Sequence, residues 1–360
     1  MYNKDKPYND LPLLPPETEL ENTEILKTAI NANKAVAELK GIAKTIPNQA
    51  IVINSLPLQE AKSSSAIENV LTTNDKLFEA FASKSNEYDP QTKEVLRYKE
   101  ALWGGYNKLK QNNLLTTNLF TSIFQKIKET TAGIRKTPGT KISTSSGKVI
   151  YTPPEGENLI RDKLHNLEEY INSDGDKTDP LIKLAVIHYQ FEAIHPFTDG
   201  NGRTGRIINI LYLVQQMLLE LPVIYLSRYI IENKDDYYNL LKTVTEKKEW
   251  TSWILYILKG ILNTADTTVN KIVEIKNLLD ETVVNMKRIL PGRIYSKELI
   301  ELLFTQPYCK VEFIVNAGIA KRQTAADYLK EIENTGLLKS KKVGKEVLYL
   351  NIPLFDLLKS

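Results

Sequence analysis

The chain has 360 residues, 42% of them apolar, and its 47 Lys and Arg against 44 Asp and Glu leave a formal net charge of +3. That length can bury two or three cores, and so small a charge does not by itself call for an acidic partner. One cysteine, Cys309, excludes an internal disulfide and a cysteine-based metal centre, and no run of eighteen apolar residues and no apolar leader after Lys4, Asp5 and Lys6 is found, so a cytoplasmic chain without membrane association is expected.

Residues 7–19, rich in Pro and Glu, read as extended, and from about Thr23 to Lys110 the pattern is helical. Within these helices Ser63-Ser64-Ser65-Ala66-Ile67-Glu68-Asn69 places Ser64 and Glu68 four residues apart on one helix face, which taken alone is a common capping pattern at a helix start. Lys141 to Pro154 is the one stretch of the core that reads as a hairpin, with β-branched residues around a Ser-Gly turn and Pro153-Pro154 ending the second strand. An open hairpin edge accepts an extended peptide by strand addition, which makes Ile150, Tyr151 and Thr152 candidate contacts; a surface hairpin without a ligand is the alternative.

Leu184 to Ile194 has the apolar density of a buried helix, and His195 emerges where it ends. The next residues run His195-Pro196-Phe197-Thr198-Asp199-Gly200-Asn201-Gly202-Arg203-Thr204-Gly205-Arg206, and a second apolar helix follows from Ile207 to Leu219. A glycine-rich turn before a helix start points free N–H groups and the positive end of the helix dipole at an anion. With two guanidinium groups added, this is a phosphate site with a potential base and a carboxylate attached. His188, seven residues before His195, has no third soft ligand near it in the sequence and is not read as a metal ligand.

Further helices hold Leu226 to Ile230, Asp236 to Leu241, and Trp250 with Trp253, whose aromatics read mainly as core. An amphipathic helix from Thr267 to Arg288 leads to a boundary at Leu290-Pro291-Gly292. Beyond it Ser296 to Phe304, Val311 to Asn316 and Lys321 to Asn334 read as three short helices, with Cys309 as an inert thiol in a helical segment. Leu337 to Ser340 and Val347 to Leu350 read as strands around a Lys-rich turn. The division is therefore an N-terminal helical region (1–114), a core that carries the glycine-rich loop (115–265), a linker helix (266–290) and a C-terminal domain (291–360) whose order of helices and hairpin resembles a winged helix. Lys321, Arg322, Gln323 and Thr324 open what would be a recognition helix for DNA. From Ser296 to Ser360, however, ten Lys and Arg face eight Asp and Glu, a net of +2, so a wing that docks protein or a second copy of the chain is an equal alternative.

Residues 195–206 closely resemble the signature of the Fic family, His-x-Phe-x-(Asp/Glu)-Gly-Asn-Gly-Arg-x-x-Arg, with every fixed position matched. The resemblance implies an all-α, mainly helical Fic fold with a small β-hairpin flap, joined to a C-terminal winged helix-turn-helix. It implies transfer of AMP from ATP to a Ser, Thr or Tyr hydroxyl of a target protein, with His195 as general base and Asp199 holding Mg²⁺. Gly200, Asn201, Gly202, Arg203, Thr204, Gly205 and Arg206 would bind the nucleotide, with Asn201 cradling phosphate and Arg203 and Arg206 neutralising its charge. Gly202 favours nucleotidyl transfer, since the related Doc kinases carry Lys there. Ser64-x-x-x-Glu68-Asn69 resembles the family's inhibitory helix, in which Glu68 would pair with Arg206 and fill the space of the γ-phosphate. The flap residues Ile150, Tyr151 and Thr152 would register an unknown target, and Tyr237 would either stack on adenine or simply pack. Self-modification is expected, and two alternatives stand beside it: removal of AMP by the same fold, and a non-enzymatic DNA-binding regulator that senses nucleotide.

Overall fold

The computed structural model describes residues 2–83, 88–143, 149–173, 175 and 177–359. The chain enters through an irregular segment, and Asn22 then caps the first helix by accepting from the N–H groups of Glu24 and Ile25. Helices α1 (Thr23–Ala43), α2 (Ala50–Ile67), α3 (Asn74–Ala82), α4 (Pro90–Asn112) and α5 (Thr117–Lys128) follow. Strands β1 (Ile142–Ser143) and β2 (Val149–Tyr151) pair antiparallel at the predicted hairpin, whose turn at 144–148 lies outside the described residues.

Next come α6 (Glu157–Asn172), α7 (Pro180–Ile194), α8 (Asn201–Gln215), α9 (Leu226–Glu232), α10 (Lys234–Lys247) and α11 (Thr251–Ile289). Helix α7 is apolar on every side and is buried on every side, with Glu192 the one residue after Pro180 that is not fully enclosed. It packs against α8, α6, α11 and α1, while α2, α4 and α5 close on α8. The two helices that flank the loop at 195–200 are thus the most enclosed in the molecule, and each buried Leu or Ile contributes roughly 1.5–3 kcal/mol to holding them. α1 lies along α11, its buried Ala29, Ala32 and Ala35 permitting a close approach. The segment read as a linker helix is the C-terminal half of α11, and the division set between residues 265 and 266 falls inside that continuous helix.

The C-terminal unit contains α12 (Lys297–Phe304), β3 (Tyr308–Cys309), α13 (Val311–Asn316), α14 (Arg322–Asn334), β4 (Leu338–Val343), β5 (Glu346–Asn351) and α15 (Ile352–Lys359). The order of three helices and a hairpin is the one expected, with the hairpin longer than expected because only Gly344 and Lys345 turn the chain between Val343 and Glu346. Cys309 is not helical: it sits buried in β3, which pairs with β5 to make a sheet of order β3-β5-β4. The correction has a local cause, since Pro307 interrupts any helix there. This unit docks on α2 and α3. Tyr308 Oη donates to Asp75 Oδ1 at 2.5 Å, Lys341 bridges Asp75 and Glu79, Phe355 meets Phe78 edge-on, and Gln59 donates to Leu358 O. No helix among the described residues is long and apolar enough to cross a membrane.

Candidate active site

His195 closes α7 in the left-handed region, φ 49°, where its N–H caps Phe191 O and Pro196 prevents continuation. Arg135 fixes this corner. Its Nε donates to His195 O at 2.8 Å, its Nη2 to Ile194 O and Pro154 O, and its own N–H to Pro196 O. A cation on the last carbonyls of α7 also complements the helix dipole. Burial, with Arg135 second, pushes the His195 imidazole down to about 4, so the ring is neutral near pH 7 and ready to accept a proton.

The loop then turns on Gly200, φ 72°, into α8. Thr204 N closes the first helical hydrogen bond on Gly200 O, so the N–H groups of Asn201, Gly202 and Arg203 have no acceptor within the helix and are available to an anion. Asn201 lines the cavity, and its side chain staples the loop: its Oδ1 accepts from Phe197 N and its Nδ2 donates to Phe197 O, both at 2.8 Å. Thr204 and Gly205 are likewise structural and do not line the cavity. Thr204 Oγ1 is spent on Gly200 O, and a Cβ on Gly205 would stand 2.5 Å from Glu192 Oε1, where α7 and α8 touch.

Arg206 is buried and bonded through Nε and Nη2. Its Nε donates to Ser64 Oγ at 2.7 Å and its Nη2 to Ser64 O at 2.9 Å and to Glu68 Oε1 at 3.0 Å. The pattern Ser64 to Asn69 lies at the end of α2 rather than at a helix start: Glu68 is the C-cap and Asn69 adopts φ 61°, which Asn tolerates and most residues do not. A carboxylate at a helix C-terminus opposes the dipole, and the Arg206 guanidinium offsets that cost. The same carboxylate rests on the first turn of α8, because a Cβ on Gly202 would fall 2.3 Å from Glu68 Oε1, so glycine at 202 is what leaves room for it. α2 is itself anchored by Glu60, whose buried carboxylate accepts from Ser227 N, Ser227 Oγ and Tyr98 Oη.

Arg203 does not line the cavity. It is buried and paired with Glu94 of α4, its second amino group 3.7 Å from Asp199 Oδ1. Lys128 of α5 joins Glu94 at 2.8 Å to Asp199 at 2.7 Å. Burial would raise the Asp199 pKa, but Lys128 outweighs it and holds the carboxyl below the usual range. Asp199 is the half-exposed carboxylate of the loop, and a hard cation that takes one protein carboxylate and completes its shell with phosphate and water fits it once Lys128 gives way.

These groups open on a cavity of about 970 Å³, counting its mouth, lined by His195, Asp199, Gly200, Asn201, Gly202, Arg206 and Glu68. Ile150 and Tyr151 of the flap line it too, but Thr152 does not. Thr152 is buried, its hydroxyl donating to Lys4 O and its carbonyl accepting from Tyr8 N, so the last of the three expected flap contacts is covered by residues 2–8. Tyr237 reaches the cavity with its ring packed among Tyr238, Trp253 and Tyr256, and its hydroxyl is 2.9 Å from His188 Nε2. His188 is accordingly a core residue.

Among the site residues that escape sequence reasoning are Arg135, Glu94, Lys128, Glu192 and Tyr2. Arg135 and Glu94 reach the loop from 60 and 109 positions away, where no spacing signals them. Glu192 lay in plain view one turn before His195; burial pushes its carboxyl up to about 8, so it is neutral in the cavity wall. Tyr2 arrives on the irregular entry segment.

Three family models match in succession: Fic/DOC family N-terminal over residues 26–107, Fic/DOC family over 109–213, and "Protein adenylyltransferase SoFic-like, C-terminal domain" over 278–354. The chain is 28% identical over 120 residues to protein adenylyltransferase fic-1 of Caenorhabditis elegans, which covers 33% of this chain and 22% of that protein. It is 45% identical over 56 residues to a probable protein adenylyltransferase of Aquifex aeolicus, 15% of this chain and 18% of that one. The chain thus spans about a fifth of the length of the curated relatives it matches. A crystal structure of a Fic family protein from Desulfovibrio desulfuricans shares the fold, with a TM-score of 0.58 at 16% identity over 93% of this chain and 98% of that one. With the complete loop at 195–206 at the junction of α7 and α8, and these models matched in order around it, the chain belongs to the Fic/Doc family.

Proposed function

We propose that the chain is a self-inhibited protein adenylyltransferase that transfers AMP from ATP to a protein hydroxyl. The observation that carries the reading is the Glu68–Arg206 pair, seated against Gly202 in the same cavity as a neutral His195. His195 takes the proton of a Ser, Thr or Tyr hydroxyl as its oxygen attacks the α-phosphorus. The first-turn N–H groups of α8 and the Arg206 guanidinium stabilise the phosphate charge, a matter of fixed electrostatics more than covalent chemistry. Asp199 is the residue that would hold Mg²⁺, whose chemistry is to neutralise phosphate oxygens. Glu94 and Lys128 set the position of Asp199 and Arg203. Tyr238, beside Tyr237, offers an aromatic wall for the base. Access to ATP and a reduced Cys309 suit a cytoplasmic setting.

Removal of AMP is the second reading, favoured by the Glu68 carboxylate standing over the cradle where it would align a water. A role limited to nucleotide sensing and DNA binding rests on Lys321 to Thr324 being exposed. Against it, Lys341 of the wing is engaged by Asp75 and Glu79, which favours docking within the chain. ATP labelled at the α-phosphate separates the three. Label appearing on protein, and more of it with Glu68→Gly, supports transfer; release of AMP from a premodified protein supports removal; nucleotide binding with neither reaction leaves the sensor.

A further inference from the structure

The cavity is already occupied at its mouth by the chain itself. Residues 2–8 run along β2 and the residue after it: Tyr2 Oη lies 3.5 Å from Ile150 O, Thr152 Oγ1 donates to Lys4 O at 2.6 Å, and Tyr8 N donates to Thr152 O at 3.0 Å. The Tyr2 ring stacks on Tyr151 at 6.1 Å and 21°, and Tyr8 meets both rings edge-on. This places Tyr2 on the wall that also contains His195, Asp199, Gly202 and Arg206. We propose that Tyr2 is the hydroxyl onto which the site transfers AMP in its own chain; this rests on the adenylyltransferase reading above.

Three of the other four tyrosines of the wall are poor acceptors, and the fourth, Tyr238, is fixed on helix α10. The hydroxyls of Tyr151, Tyr189 and Tyr237 are tied to Ala193 O, Thr245 Oγ1 and His188 Nε2, all on or beside rigid helices. Tyr2 instead rides on a segment without helix or strand; Lys4 and Tyr8 bond to Thr152 behind it, while Tyr2 itself has ring packing and one long hydroxyl contact and can advance into the cavity without unfolding a helix. Burial, with Glu246 next, pushes the Tyr2 phenol up to about 12, so it reaches the site protonated and needs a base; His195, neutral, supplies one. The step balances. The Tyr2 oxygen forms a bond to the α-phosphorus of ATP as its proton passes to His195, and the bond from that phosphorus to the bridging oxygen breaks with its electron pair leaving on pyrophosphate.

Glu68→Gly protein incubated with ATP and Mg²⁺, digested and mapped by mass spectrometry, tests this directly. The expected result is one AMP on the Tyr2 peptide, gained at a rate per molecule that dilution does not change, lost with Tyr2→Phe and kept with Tyr8→Phe. Label on Tyr238, on Thr198 or anywhere else in the chain, or only on an added protein, overturns the inference and leaves the adenylyltransferase reading intact. A rate that falls on dilution overturns transfer within one chain. ATP bound with no label on any protein overturns both.

Discussion

At the scale of single residues, the proposed transfer depends on a histidine kept neutral by its surroundings and oriented by backbone contacts. His195→Ala should lower transfer by on the order of a hundredfold or more while ATP binding survives, since the cradle is made of α8 N–H groups and Arg206. Labelling kinetics beside calorimetric ATP binding check this, and near wild-type labelling would remove His195 from the mechanism. The pH dependence is set by two shifted groups. His195 sits near 4, below its free value of 6.5, so kcat/KM should stay level as pH falls from 7 toward 5 and drop only near 4. The same shift means that stability due to the neutral ring is present above 6.5 and is lost as pH falls through about 4, so rates must be read with the folded fraction. Glu192, near 8, ionises beside the phosphate site above that pH. Activity should therefore fall on the alkaline side, and Glu192→Gln should flatten that limb; an unchanged limb would assign it elsewhere.

At the scale of elements, the proposed inhibition is a property of where α2 ends. Glu68→Gly removes the carboxylate over Gly202 but leaves Arg206 donating to Ser64 Oγ and Ser64 O, so the guanidinium keeps its place while the cradle empties. A charge-assisted hydrogen bond of about 1.5–3 kcal/mol no longer competes with ATP, which should raise transfer roughly ten- to a hundredfold. Adding Arg206→Ala should cancel the gain. Equal labelling by wild type and Glu68→Gly at the same ATP concentration would show that the pair does not restrain the site. How much of this was legible follows from distance along the chain. The loop was legible because its base, carboxylate, glycines and arginines are contiguous, and Glu68 because its motif is local to one helix end. The direction each side chain takes was not: Asn201, Arg203 and Thr204 sit in the right register, yet their partners Phe197, Glu94 and Gly200 are chosen by packing. The long helix was divided near residue 265 because its second half is amphipathic, although no breaker stands between Thr251 and Ile289; Gly260 is glycine because a Cβ there would lie 2.9 Å from Tyr229 Cδ1.

At the scale of the whole molecule, the buried core runs without interruption from Leu11 to Leu358, so the C-terminal unit shares the hydrophobic interior of the helices that carry Glu68. Phe78 on α3 is the hinge of that continuity. It is 1% exposed, packs edge-on with Phe355 of α15 at 6.3 Å, and stands on the helix that follows Asn69. Asp75, one turn before it, and Glu79, the next residue, hold Tyr308 and Lys341; the half-exposed Lys341 pairs contribute little, so the ring contact and its cavity are the larger part. The protein should unfold in one calorimetric transition, and Phe78→Ala should lower its stability by roughly 3–5 kcal/mol. Loosening α3 should also loosen the end of α2, so the folded fraction of Phe78→Ala should transfer AMP faster than wild type. Two separated transitions in the wild type would mean that the C-terminal unit folds by itself, and a destabilised variant with unchanged transfer would mean that α3 does not set the position of Glu68.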